Sequence, residues 1–234
     1  MATKMKPEVK VPYHIALIPD GNRRWARSHK IKFFNGYNLG VKKFVSFSIW
    51  AKALGVKVLT VWALSTENLK NRSKSELNIL FKIYIKAAKS VEILKMLREN
   101  NAKVNVIGNL NLLPAEVRKA LHSLERKTKN YSEFTINLLI GYGGREDLIY
   151  ALRHSKKSQT ASDETFKSYL ITSKVPDVDL IIRTSGEKRL SGFLPWQASY
   201  SELYFAKKYW PDFNKDDLRK AITNYSKRER RFGK

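Results

Sequence analysis

The sequence predicts an α/β protein: one open, mostly parallel six-stranded sheet surrounded by helices. Three observations carry this. Short, nearly continuous apolar runs alternate with longer amphipathic segments. Strands that are apolar at almost every position suit a sheet buried on both faces, which parallel sheets require. No internal repeat and no long linker divides the 234 residues, so residues 1–234 read as a single domain.

Taken in order, HIALIP (14–19) is the first strand. Helical segments follow at 22–30 and 37–54, then the strand VKVLTVWAL (56–64). A long helix is expected over 75–100, with Ser73 or Ser75 as its cap. KVNVIG (103–108) is the third strand, and a helix spans 115–129. FTINLLI (134–140) is the fourth, followed by helices over 144–157 and 163–173. DLIIRT (179–184) and the short LYF (203–205) complete the sheet, and 215–228 closes the chain as a helix.

Composition narrows the function classes. Lys and Arg number 45 against 21 Asp and Glu, a formal net charge of +24. Such an excess attracts anions: nucleic acid, acidic lipid or phosphorylated small molecules. A solvated lysine surface is the plainer reading. Cysteine is absent, which excludes disulfides, thiol nucleophiles and cysteine zinc sites and fits a reducing compartment or a hot habitat. No apolar stretch approaches the roughly 18 residues a bilayer span needs. MATKMKPEVKVPYH lacks an apolar signal core. The expectation is a cytoplasmic protein able to rest on acidic membrane through its charge.

Ligands in open parallel sheets collect at the carboxyl ends of strands, where helix N-termini present their N–H groups. Three polar clusters fall there. IPDGNRRWARSHK (18–30) puts Asp20, Gly21, Asn22 and three arginines within eight residues. Arg23 and Arg24 suit phosphate oxygens, but Asp20 is out of place in a pure anion site. Magnesium bridging carboxylate and phosphate would remove that conflict. Asp20 or Asn22 as a simple helix cap remains open. Ser65, Thr66, Glu67 and Asn68 follow the second strand, with Arg72 beyond. The loop after the fifth strand carries Arg183, a Ser185-Gly186 turn, Lys188, Arg189 and Ser191.

HIALIPDGNRRWAR, VWALSTENLKNRSKSE, INLLIGYGGREDLI, VDLIIRTSGEKRLSGFLPWQ and the YSELYF and KKYWPDF segments, in this order, resemble the cis-prenyltransferases, the undecaprenyl or polyprenyl diphosphate synthase family. The resemblance covers nearly the whole chain. It implies condensation of isopentenyl diphosphate onto an allylic primer, farnesyl or geranylgeranyl diphosphate. The product would be a long-chain cis-polyprenyl diphosphate such as undecaprenyl diphosphate, the precursor of a glycosyl carrier lipid, or else a short- or medium-chain one. It also implies Mg2+ and a homodimer. Asp20 matches the essential aspartate that handles magnesium and a diphosphate. Gly21, Asn22, Arg23 and Arg24 match the loop for the allylic diphosphate, with Trp25 beside it. Asn68 matches an asparagine assigned to proton removal, and Ser65, Thr66, Glu67 and Arg72 fall in the same segment. Arg183, Arg189 and Ser191, with Leu190 between them, match the isopentenyl diphosphate pocket. Glu202 matches a glutamate of the magnesium region. Arg231 and Gly233 match a tail motif, so 227–234 would reach the partner's active site, while 1–12 would be a flexible segment.

Some positions depart from the family pattern. Gly36-Tyr37 stands where many members have Gly-His, so that histidine's role is not carried over. Arg23 replaces a second glycine, KNRSKSEL has one extra residue before the helix, and Gly192 and Pro195 replace commoner choices. His29 and Lys30 have no assigned role. An oily product needs an apolar tunnel, and ELNILFKIYIKAAKSVEILKML (76–97) offers one wall at helical spacing; an ordinary core helix would read the same. The rival classes are a basic nucleic-acid-binding protein and a non-catalytic partner subunit of the same fold. Carboxylates among the arginines, and no recognised nucleic-acid motif, argue for the enzyme and against a nucleic-acid partner.

Overall fold

The computed structural model describes residues 9–155 and 162–228. One sheet holds β1 (His14–Ile18), β2 (Val58–Ser65), β3 (Ala102–Ile107), β4 (Phe134–Tyr142), β5 (Leu180–Arg183) and β6 (Glu202–Phe205). Their spatial order is β3-β4-β2-β1-β5-β6, and every neighbouring pair is parallel. All five β1 residues are buried, as a strand covered on both faces must be.

The helices are α1 (Asn22–Ser28), α2 (Phe33–Ala53), α3 (Thr66–Asn71), α4 (Lys74–Lys89), α5 (Val91–Glu99), α6 (Ala115–Thr128), α7 (Gly144–His154), α8 (Asp163–Tyr169) and α9 (Lys215–Ser226). One expectation needs correction. The single helix over 75–100 is broken at Ser90, whose extended backbone ends α4 and whose hydroxyl accepts from Ile93 N to start α5. A serine offering its own side chain to the backbone competes with helix continuation. After β2, Ser65 Oγ accepts from Asn68 N and starts α3. Ser73 caps α4 as expected, accepting from Glu76 N.

Alternating side chains divide the core. Ile15, Leu17, Leu59, Val61 and Ile136 pack with Phe47 of α2, Leu97 of α5 and Leu124 of α6. Ala16, Ile18, Leu139 and Tyr142 pack with Phe193 and Leu194. On this second face a buried polar row crosses four strands. His14 Nε2 lies 2.8 Å from Thr60 Oγ1, Asn137 Nδ2 donates to Thr60 Oγ1, and Asn105 Nδ2 donates to Asn137 Oδ1. Residues 9–12 run without regular structure, and Lys10 N donates to Ser226 Oγ at the end of α9. Residues 1–8 and the 229–234 part of the tail, with Arg231 and Gly233, lie outside the described residues. No described helix is long and apolar enough to cross a membrane.

Candidate active site

The carboxyl ends of β1, β2 and β5 bring the three clusters together. A cavity of about 610 Å³ opens there and runs between the first sheet face and α2, α4, α5 and α6. Asp20, Asn22, Arg23 and Arg72 line it, as do Ser65, Glu67, Asn68, Arg183 and Ser191. Its inner wall is apolar, with Val61, Ile136 and Leu138 from the sheet, Leu80 and Ile83 from α4, Leu97 from α5 and Leu124 from α6. The expected tunnel wall over 76–97 is therefore lining and core at once.

Asp20 is the electrostatic centre. Its Oδ2 accepts from Arg183 Nη2 at 2.9 Å and its Oδ1 from Gly21 N at 2.6 Å, while Arg24 Nη2 stands 3.5 Å from Oδ1. Burial works to raise its pKa, but the Arg183 hydrogen bond and the two guanidinium charges outweigh it, so the carboxyl is held below its ordinary range. Arg183 is only 5% exposed. A buried cation needs partners, and its Nη1 finds Arg189 O at 2.6 Å and Ser191 Oγ at 2.9 Å. Its Nε is buried without a partner among the described residues.

The cap reading of the first cluster fails. Gly21 is the N-cap of α1, with φ of 100° and no capping side chain. A Cβ there would stand 2.6 Å from Tyr209 Cδ1, so glycine is required both by backbone conformation and by the tyrosine packed on it. Asn22 turns inward instead: Nδ2 donates to Pro19 O, and Oδ1 lies where only glycine fits at position 40.

Other expected residues stand further out. Arg24 Nη1 donates to Glu187 Oε1 at 2.8 Å and Nη2 to Ser185 Oγ at 2.7 Å. Arg189 Nη1 meets the other Glu187 oxygen at 2.5 Å. Trp25 Nε1 donates to Asp212 Oδ1, and its ring stacks on His29. Thr66 begins α3 beside Glu67, and Leu190 packs against the second core face. Glu202 stands lower in the sheet. It opens β6 opposite Leu180, three residues before the Phe205–Arg183 level, and Arg228 Nη1 holds its Oε2 at 2.6 Å. At ~3.3 Å per residue it lies roughly 10 Å down the strand from the Phe205–Arg183 level.

Sequence reasoning missed Glu187, Glu76, Tyr37 and Tyr209. Glu187 bridges two arginines across the site; its position next to Gly186 in a cluster of cations was the available signal. No group of three or more His, Asp or Glu that could hold a metal occurs among the described residues. Asp20 alone suits a cation that takes one carboxylate and completes its shell from substrate oxygens.

A parallel sheet gathering guanidinium groups around one carboxylate, above an apolar cavity, defines a protein for an anionic head with an oily tail. The comparisons agree. The family model described as undecaprenyl diphosphate synthase matches residues 18–233. A Thermoplasma acidophilum protein named tritrans,polycis-undecaprenyl-diphosphate synthase (geranylgeranyl-diphosphate specific) is 42% identical over 95% of this chain and 89% of its own. A Thermotoga maritima isoprenyl transferase is 42% identical, over 96% and 98%. The crystal structure of lavandulyl diphosphate synthase from Lavandula x intermedia, in complex with dimethylallyl diphosphate, superposes with a TM-score of 0.91 at 34% identity, covering 96% of this chain and 99% of that one. The chain belongs to the undecaprenyl diphosphate synthase family and is a cis-adding prenyltransferase.

Proposed function

We propose that the chain extends geranylgeranyl diphosphate by repeated cis addition of isopentenyl diphosphate to a polyprenyl product of the undecaprenyl class. One observation carries this: a single cavity joins Asp20 and the arginines to an apolar interior. The names of relatives at 42% identity and above support the primer. Arg23 and Arg72 hold the primer diphosphate; Arg183, Arg189 and Ser191 hold isopentenyl diphosphate. Two diphosphates side by side repel, and fixed guanidinium groups offset this most as charge builds on the leaving group. Asp20 would hold Mg2+, which supplies further charge neutralisation at that diphosphate. Asn68, which lines the cavity, is assigned removal of the proton, or a released phosphate oxygen takes it.

The apolar face of Leu148, Ile149, Leu152, Phe166 and Trp196 is assigned to a second copy of the chain. The net charge of +24 draws the enzyme to acidic lipid, where the product belongs. A shorter product is the second reading, favoured by the fold overlap with lavandulyl diphosphate synthase. The test uses the purified protein, Mg2+, labelled isopentenyl diphosphate and allylic primers of several lengths, followed by chromatography of the dephosphorylated products. Absence of any extended lipid overturns the proposal, and a product of one or two additions selects the second reading.

A further inference from the structure

At the cavity mouth Tyr37, on α2, joins three charged side chains from other elements. Its hydroxyl donates to Glu76 Oε1 at 3.0 Å and accepts from Arg72 Nη1 at 2.8 Å. Arg72 Nη1 also stands 3.2 Å from Glu76 Oε1, and Arg23 Nη1 stands 3.8 Å from Glu76 Oε2. The Arg72 guanidinium lies 5.7 Å from the Tyr37 ring centre. Arg23 belongs to α1, Arg72 ends α3 and Glu76 opens α4. Four elements therefore meet in this one network.

A hydroxyl has one proton to give and lone pairs to accept with, so a phenol satisfies guanidinium and carboxylate together. Burial first, and the Glu76 charge with it, push the Tyr37 pKa up to about 12, against the pull of Arg72. The proton therefore stays on the oxygen through the neutral range. Among the described residues the buried Arg72 Nε has no partner, and such a donor is costly to leave unmet. Arg23 and Arg72 form a pair through Glu76, separate from Arg183, which is tied to Asp20, Ser191 and the Arg189 carbonyl.

We propose that Tyr37 is a positioning residue for the primer: its hydroxyl holds Arg72 beside Arg23, so that the two guanidinium groups receive the allylic diphosphate already oriented. This rests on the reading of the cavity as the primer site. A free arginine explores many rotamers and loses that freedom on binding an anion; one held beforehand loses less. The hydroxyl, rather than the packing of the ring, is what matters, so Tyr37→Phe isolates it.

The test is a double-mutant cycle of Tyr37→Phe with Arg72→Gln. It is read by steady-state kinetics and by calorimetric titration of geranylgeranyl diphosphate in magnesium buffer without isopentenyl diphosphate, about 20 °C below the lowest Tm in the series. Tyr37→Phe is expected to weaken primer KM and Kd about tenfold, the size of a hydrogen bond to a charged group. The isopentenyl diphosphate KM and kcat should move less than about threefold. In the Arg72→Gln background the same change should add less than about twofold, because the interaction partner is gone. An unchanged primer Kd in Tyr37→Phe, an equal rise in isopentenyl diphosphate KM, or a full tenfold effect without Arg72 would each overturn the proposal. Wild-type protein that neither binds nor extends the primer would instead defeat the functional reading beneath it.

Discussion

Asp20 serves both the fold and the site, and the two roles respond differently to substitution. Its carboxylate is the partner of a buried arginine, so Asp20→Ala removes a charge that Arg183 depends on as well as the group placed for magnesium. Asp20→Asn keeps an acceptor for Arg183 and Gly21 while removing the charge. Both variants should lose turnover by more than about 10³-fold. The alanine variant should also lose about 2 kcal/mol of stability relative to the asparagine one, measured by urea unfolding. Because the Asp20 pKa is lowered in the fold, the stabilisation from its ion pairs is present above the ordinary carboxylate range. It is lost as pH falls through the lower, folded value. Equal stability of the two variants would show that Arg183 does not need the pair.

Between strands, the row from His14 through Thr60 and Asn137 to Asn105 makes β1, β2, β4 and β3 sensitive to acid. Burial pushes the His14 pKa down to about 4, against the pull of the Asp177 and Pro176 carbonyls. In the unfolded chain the ring titrates near its ordinary value of about 6.5. Between those values the unfolded state binds more protons, so stability is full above roughly pH 6.5 and falls as pH drops towards 4. His14→Asn removes this titration. The variant should be less stable at pH 7.5, yet lose about 2 kcal/mol less than wild type on going to pH 4.5 in urea unfolding. Parallel pH profiles for the two proteins would remove His14 from the account.

For the molecule as a whole, the α7–α8 face is one place among the described residues where exposed apolar side chains are grouped. Leu152 is 69% exposed beside Ile149, Tyr150 and the groove formed with Phe166 and Trp196. Apolar side chains grouped this way mark a contact surface. Leu152→Glu places a charge in that surface and should shift sedimentation from dimer to monomer without lowering the melting temperature of the fold by more than a few degrees. A wild-type monomer would sink the assignment. The charge acts over a longer range: association with vesicles containing acidic lipid should be strong at low salt and weaken as the Debye length falls below about 10 Å. Binding that is indifferent to salt would contradict it.

Much of this was readable before any coordinates. The six strands were legible because a strand covered on both faces must be apolar along its length, as HIALI is. Strand order, and with it the meeting of Asp20, Asn68 and Arg183, followed only as far as the rule that parallel sheets gather ligands at their carboxyl edge. The break at Ser90 was hidden because the apolar period runs on across it, and the choice there is made by one hydroxyl. The level of Glu202 in β6, opposite Leu180, was hidden because a motif states which residues occur and not at which end of a strand they lie. The pairings that tune the site, Glu187 with Arg24 and Tyr37 with Arg72, join positions 163 and 35 residues apart. Periodicity records which side of an element is kept from water, a local property that each segment carries itself. The partner of a charge depends on which distant elements arrive beside it, and that is settled when the sheet closes and the helices pack over it.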